Sequence, residues 1–120
     1  MSHNLKQAVH EYMKENVQYF NYKILAELAV IYATKMDPRY QGLFFAGDIR
    51  NKFLKELKHL DQETFYKVLW ALVKAKAISI DEHGGSEWGQ VREAVVAKMK
   101  DFDAKTLTNV LVLSTVAKDA

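Results

Sequence analysis

Leu60-Asp61-Gln62-Glu63-Thr64-Phe65-Tyr66-Lys67-Val68-Leu69-Trp70-Ala71-Leu72 is the stretch whose reading decides the fold. An aspartate stands just before a run in which Phe65, Val68, Leu69 and Leu72 recur three and four residues apart. That spacing places the four on one face of an α-helix. The aspartate carboxylate is suited to accept from the free N–H groups of the helix's first turn. The string Phe102-Asp103-Ala104-Lys105-Thr106-Leu107-Thr108-Asn109-Val110-Leu111 follows the same pattern, its aspartate at 103 against 61.

Outward from these corners, residues 49–76 align without a gap on 91–118. Identical residues meet at Arg50/Arg92, Lys58/Lys100, Asp61/Asp103, Thr64/Thr106, Val68/Val110, Leu69/Leu111, Ala75/Ala117 and Lys76/Lys118. The apolar stripe stays in phase through Ile49/Val91, Phe53/Val95, Leu57/Met99, Leu60/Phe102 and Phe65/Leu107. An earlier, looser copy matches at an offset near 44: Leu5, Val9 and Met13 on Ile49, Phe53 and Leu57, with Lys14, Lys23, Leu25 and Leu28 matching identically. Its corner has no aspartate, and Asn16 is the expected substitute.

Six helical stripes emerge, in order: Leu5, Ala8, Val9, Tyr12 and Met13; Ile24, Leu25, Leu28, Ile31 and Tyr32; Ile49, Phe53, Leu57 and Leu60; Phe65 to Val73; Val91, Val95, Met99 and Phe102; Leu107, Val110, Leu111 and Val116. Asp37-Pro38 ends the second, because proline disfavours helical geometry in the residue before it. The segment Arg39 to Gly47 holds Leu43, Phe44 and Phe45 and is expected to form a short helical turn under the bundle. Asp48 and Ser86 are placed to cap the third and fifth helices, and Ile78 to Gly85 forms a break. Helices joined by such short links fold back as hairpins. The expectation is an all-α chain forming a single helical-repeat domain over 1–120: a right-handed α-solenoid-like array of three hairpins, about six helices, with repeats near 3–36, 48–78 and 86–118. Two-helix units returning at this period are the mark of such arrays.

The corner strings resemble the organellar helical-hairpin repeat proteins, the heptatricopeptide- and octotricopeptide-like families, with their acidic corner followed by leucine, asparagine and leucine along the helix. The resemblance implies an organellar, mitochondrial setting, otherwise a cytoplasmic one. It also implies either RNA binding or a structural role derived from it.

Composition narrows the chemistry. Hydrophobic residues make up 49% and charged residues 27% of the 120, as in an ordinary globular domain. Seventeen basic against 15 acidic residues neither demand nor exclude a polyanionic partner. With no cysteine, disulfide frameworks, thiolate zinc sites and cysteine nucleophiles are excluded, and a reducing, intracellular compartment fits. No window approaches the roughly 18 apolar residues of a membrane span, and Met1 to Lys6 lacks the apolar core of a signal peptide.

Catalytic motifs fail on inspection. His10-Glu11 opens like a zinc-protease helix, yet Lys14 stands where the second histidine belongs; a surface histidine on an amphipathic helix is the expectation. Gly84-Gly85-Ser86-Glu87-Trp88-Gly89 has neither the lysine nor the spacing of a phosphate loop. Asp81-Glu82-His83 are adjacent loop residues with no second ligand cluster. No catalytic, metal or cofactor residues are therefore assigned, and neither an enzyme nor a small-molecule substrate is expected.

Two surfaces remain. Val112 and Leu113 lie off the main stripe of the last helix, and the ends of helical arrays need a polar outer face to stay in solution. Trp70 occupies the position of Val112 one repeat earlier, so both are expected on one continuous face. Trp70, Val112, Leu113, Val116, Phe44 and Phe45 are thus the candidate partner-binding residues, in a non-catalytic scaffold or accessory subunit making protein–protein contacts in a larger assembly. The alternative is an RNA-binding module using Arg50, Lys58, Arg92 and Lys100, cations that recur between repeats along what would be a phosphate track.

Overall fold

Asp61 caps a helix as its position predicts. Its carboxylate accepts from the Thr64 N–H at 2.8 Å and its carbonyl from the Phe65 N–H at 2.8 Å. Asp103 repeats the arrangement with Thr106 at 2.7 Å and Leu107 at 2.9 Å. Hydrogen bonds from the Thr64 backbone hold the Asp61 carboxyl below its usual range, with the Thr64 hydroxyl and the charges of Lys23 and Lys98 adding to the effect. Asp61→Ala is expected to cost about 1 kcal/mol, the ordinary worth of an N-cap, read as a lowered urea midpoint with unchanged slope.

The computed structural model describes residues 3–45, 48–77 and 86–119, with side chains placed over 5–45, 49–77 and 89–113. The described residues form seven α-helices: α1 His3–Asn16, α2 Tyr22–Lys35, α3 Pro38–Phe44, α4 Asp48–Glu56, α5 Gln62–Lys74, α6 Ser86–Lys98 and α7 Ala104–Asp119. Single 3-10 turns, Val17–Tyr19 and Leu57–His59, close α1 and α4. The helix beyond the expected six is α3. Pro38 opens it with a preset backbone angle and no need for an N–H partner. Asp48 and Ser86, the expected caps, stand as the first helical residues of α4 and α6, and their side chains lie outside the described residues; the break over 78–85, with the Asp81-Glu82-His83 and Gly84-Gly85 motifs in it, lies wholly outside them.

The first corner is not where the sequence placed it. Asn16 turns back, its side-chain amide donating to the Tyr12 carbonyl at 2.8 Å. Asn21 is the cap, accepting from the Ile24 N–H at 2.9 Å. Counted from cap to cap, Asn21 to Asp61, the first unit precedes the second by 40 residues rather than 44, which sets Met13 opposite Phe53. Both are buried. Each of these two units then reads the same way: helix, 3-10 turn, a buried or half-buried aromatic or leucine (Phe20, Leu60), cap, helix.

The core lies chiefly between α2 and α5, the most extensively packed pair. Leu25, Ala29 and Tyr32 of α2 meet Phe65, Val68, Leu69 and Leu72 of α5, all essentially without exposed surface. Alanines 26, 29 and 33 let the two backbones approach. Helix α7 packs on α5, α6 on α4 and the 3-10 turn after it, and α3 on α2. The Phe65 ring reaches Phe102 edge-on at 5.1 Å, joining α5 to the turn after α6. Gln62 locks the two acidic corners, accepting from the Asp103 N–H at 3.0 Å and donating to its carboxylate at 3.2 Å.

Helix α1 is rotated from the face its leucines suggest. Leu5 and Tyr12 are exposed, whereas His10 and Met13 turn inward. Polar partners drive the rotation: Lys6 pairs with Asp37 at 3.0 Å, and the His10 ring meets the Tyr32 hydroxyl at 2.9 Å. His10 is therefore a buried histidine, not a surface one, packed against Tyr40 at 5.1 Å as well. Phe44 stacks on Tyr32 at 4.3 Å and meets Phe45 edge-on at 4.9 Å. These side chains tie α1, α2 and α3 together.

Candidate functional site

Trp70 and Val112 share a face, as their equivalent positions predict. Together with Tyr66, Val73, Lys74, Lys76, Asn109 and Leu113 they line an open groove of about 460 Å³ between α5 and α7. Helix periodicity explains the lining: Tyr66, Trp70 and Val73 stand at successive turns of α5, and Asn109, Val112 and Leu113 on one side of α7. Val112 is 57% exposed, and its neighbour Leu111 equally so. Leu111 was expected on the buried stripe of α7, but Val110 holds the buried position, half-buried Leu107 and Leu113 flank it, and the packing of α7 on α5 turns Leu111 out to solvent. The side chain of Val116 lies outside the described residues.

The two phenylalanines proposed as anchors belong elsewhere. Phe44 and Phe45 are buried in the α1–α2–α3 cluster, where stacking on Tyr32 consumes the surface a partner would need. They are core residues.

Sequence reading missed Tyr66, Val73, Lys74, Lys76 and Asn109. The helical offsets from Trp70 were the available signal for the first three. Lys76 carried none, because its place depends on how α5 ends. There the Ala77 N–H donates to the Leu72 carbonyl at 2.8 Å and the Lys76 N–H to that of Val73 at 3.0 Å, the paired bonds of a Schellman termination. This termination puts the residue after the cap in the left-handed region, and Lys76 has φ 55°. Glycine is the residue that suits that geometry. Lys76→Gly is expected to stabilise the fold by about 1 kcal/mol, since the Cβ strain is relieved, seen as a raised urea midpoint.

The four cations of the RNA alternative do not act alike. The guanidinium of Arg50 is half-buried and donates to the Ala77 carbonyl at 3.4 Å, tying the chain after α5 back to α4. Lys58 lines a separate cleft of about 350 Å³ between α4 and α6, together with Lys55, Asn51, Gln90 and Glu93. Arg92 and Lys100 are exposed on α6 and the turn after it, outside that cleft's lining. A carboxylate thus sits among the cations there.

Among the described residues no group of three histidines or carboxylates is placed to hold a metal ion. In that same span no helix is long and apolar enough to cross a membrane. The face that stands out is the α5–α7 groove. No family model, no curated protein and no solved structure matches this chain.

Proposed function

We propose that this chain is a non-catalytic helical-repeat module, an accessory or scaffold subunit that holds a protein partner on the α5–α7 face. One observation carries the reading: a tryptophan-centred apolar groove opens along the last helix, with exposed Val112 in its lining and exposed Leu111 beside it. Contiguous apolar surface of this kind is a mark of an interaction site, and aromatic residues in pockets dominate interface energetics. The corner caps at Asn21, Asp61 and Asp103 and the stacking of α2, α5 and α7 support an α-solenoid-like array of three hairpins. In this reading the assembly is intracellular, and the resemblance of the corner strings to organellar repeats makes a mitochondrial complex the first place to look.

The test is the size at which the tagged endogenous chain elutes under gentle conditions. Elution in a larger assembly, lost on Val112→Glu, is expected; that exposed substitution should shift stability by no more than about 0.5 kcal/mol. A stable 13.8 kDa monomer sinks the proposal. Retention by single-stranded RNA, weakening with salt and lost on changing Arg50 and Arg92, would favour the RNA-binding module instead.

A further inference from the structure

We infer that the occupant of the α5–α7 groove is an amphipathic helix of another protein, carrying carboxylates at the end that lies over Lys74 and Lys76; this rests on the docking face proposed above. The apolar floor has the form that receives a helix. Tyr66, Trp70 and Val73 form one wall and Val112 and Leu113 the other, both running along parallel stripes. A helix laid between two helices buries side chains at every third and fourth position. The two lysines are exposed, and among the described residues no carboxylate lines the groove beside them. Its electrostatic complement is therefore acidic.

Lys76 adds an independent observation. It holds a left-handed backbone conformation that glycine would adopt without strain. A strained residue points to a local role, and here the side chain that a glycine would lack lines the groove. A second copy of this chain fits poorly, because two such faces both present lysines, with no carboxylate among the described lining residues to pair with them. A nucleic acid strand stacked on Trp70 would leave Val73, Val112 and Leu113 without an apolar counterpart.

The test uses the full chain and three probes. Two are synthetic amphipathic helical peptides with the same leucine stripe, one ending in paired glutamates and the other in paired lysines. The third is an oligouridine. Each is titrated while the Trp70 indole N–H is followed by NMR, its signal assigned with Trp70→Phe. The glutamate peptide is expected to shift that signal and to bind about fivefold more tightly than the lysine peptide, the scale of exposed charge pairs. Lys74→Glu with Lys76→Glu should invert the preference, and Lys76→Gly, which keeps the backbone relaxed, should reduce it. Equal affinities for the two peptides at the Trp70 signal would overturn the acidic assignment while leaving the docking face standing. A shift with oligouridine alone, or with no probe, would overturn both.

Discussion

Phe65→Ala should leave this domain barely folded. Its ring has no exposed surface, sits in the α2–α5 core and touches Phe102, in the turn before α7. Removing a buried phenylalanine ring forfeits its transfer free energy and leaves a cavity, together about 3–5 kcal/mol. Whole domains are stable by only about 5–15 kcal/mol, so the loss takes a large share of the total. Urea unfolding followed by circular dichroism is the measurement. A change below about 1 kcal/mol would show that the α2–α5 contact is not the core of the fold. Phe102→Leu, which removes the edge-on ring contact but keeps apolar bulk, is the milder companion.

Tyr32→Phe should cost about 1–3 kcal/mol, the penalty for leaving a buried polar partner unmatched. Tyr32 is fully buried, and burial, helped by Tyr40, pushes its hydroxyl up to about 12. It therefore stays protonated, and its hydroxyl shares a hydrogen bond with Nδ1 of His10 at 2.9 Å, the tautomer of the ring setting which of the two donates. Burial lowers the His10 value from its usual 6.5; Lys14 and Arg39 push the same way, and Glu11 opposes them. The sign follows from proton binding. Below 6.5 the unfolded chain takes up a proton that the folded one resists, so stability is complete above that pH and falls as the solution is acidified through it. The capping aspartates, with values held down, contribute a separate loss only below about 3.8. Two windows should therefore appear in a plot of unfolding free energy against pH. His10→Gln, which keeps a hydrogen-bonding group without the titration, should flatten the upper one.

Much of this was legible in the residues. The Asp61 and Asp103 caps, the short helix in the Arg39–Gly47 segment and the shared face of Trp70 and Val112 all follow from helical spacing and the chemistry of side-chain oxygens near free N–H groups. The first unit was harder to read. Its cap is an asparagine, Asn21, competing with another at position 16, and nothing local says which will turn back onto its own helix. The rotation of α1 was hidden because its buried face is partly polar: Lys6 and His10 turn inward only because Asp37 and Tyr32, 31 and 22 residues away, receive them. Phe44 and Phe45 read equally well as partner anchors or as packing under the bundle, because the Tyr32 ring that covers Phe44 belongs to another helix. Periodicity reports a stripe's own composition, whereas the choice of inward face depends on partners distant in sequence.

The groove shows the same division. Trp70 and Val112 were paired by aligning 49–76 on 91–118, but Lys76 was not, since its position depends on how the last turn of α5 closes. The lysine pair gives the face its polarity.

Photo-crosslinking in the native cell addresses the docking face most directly. A photoreactive residue is placed at position 112 in one version of the chain and at the exposed position 92 on α6 in another. A discrete protein adduct from 112, with 92 silent, is the expected result. An adduct from 92 with none from 112, above all one that ribonuclease removes, would contradict it.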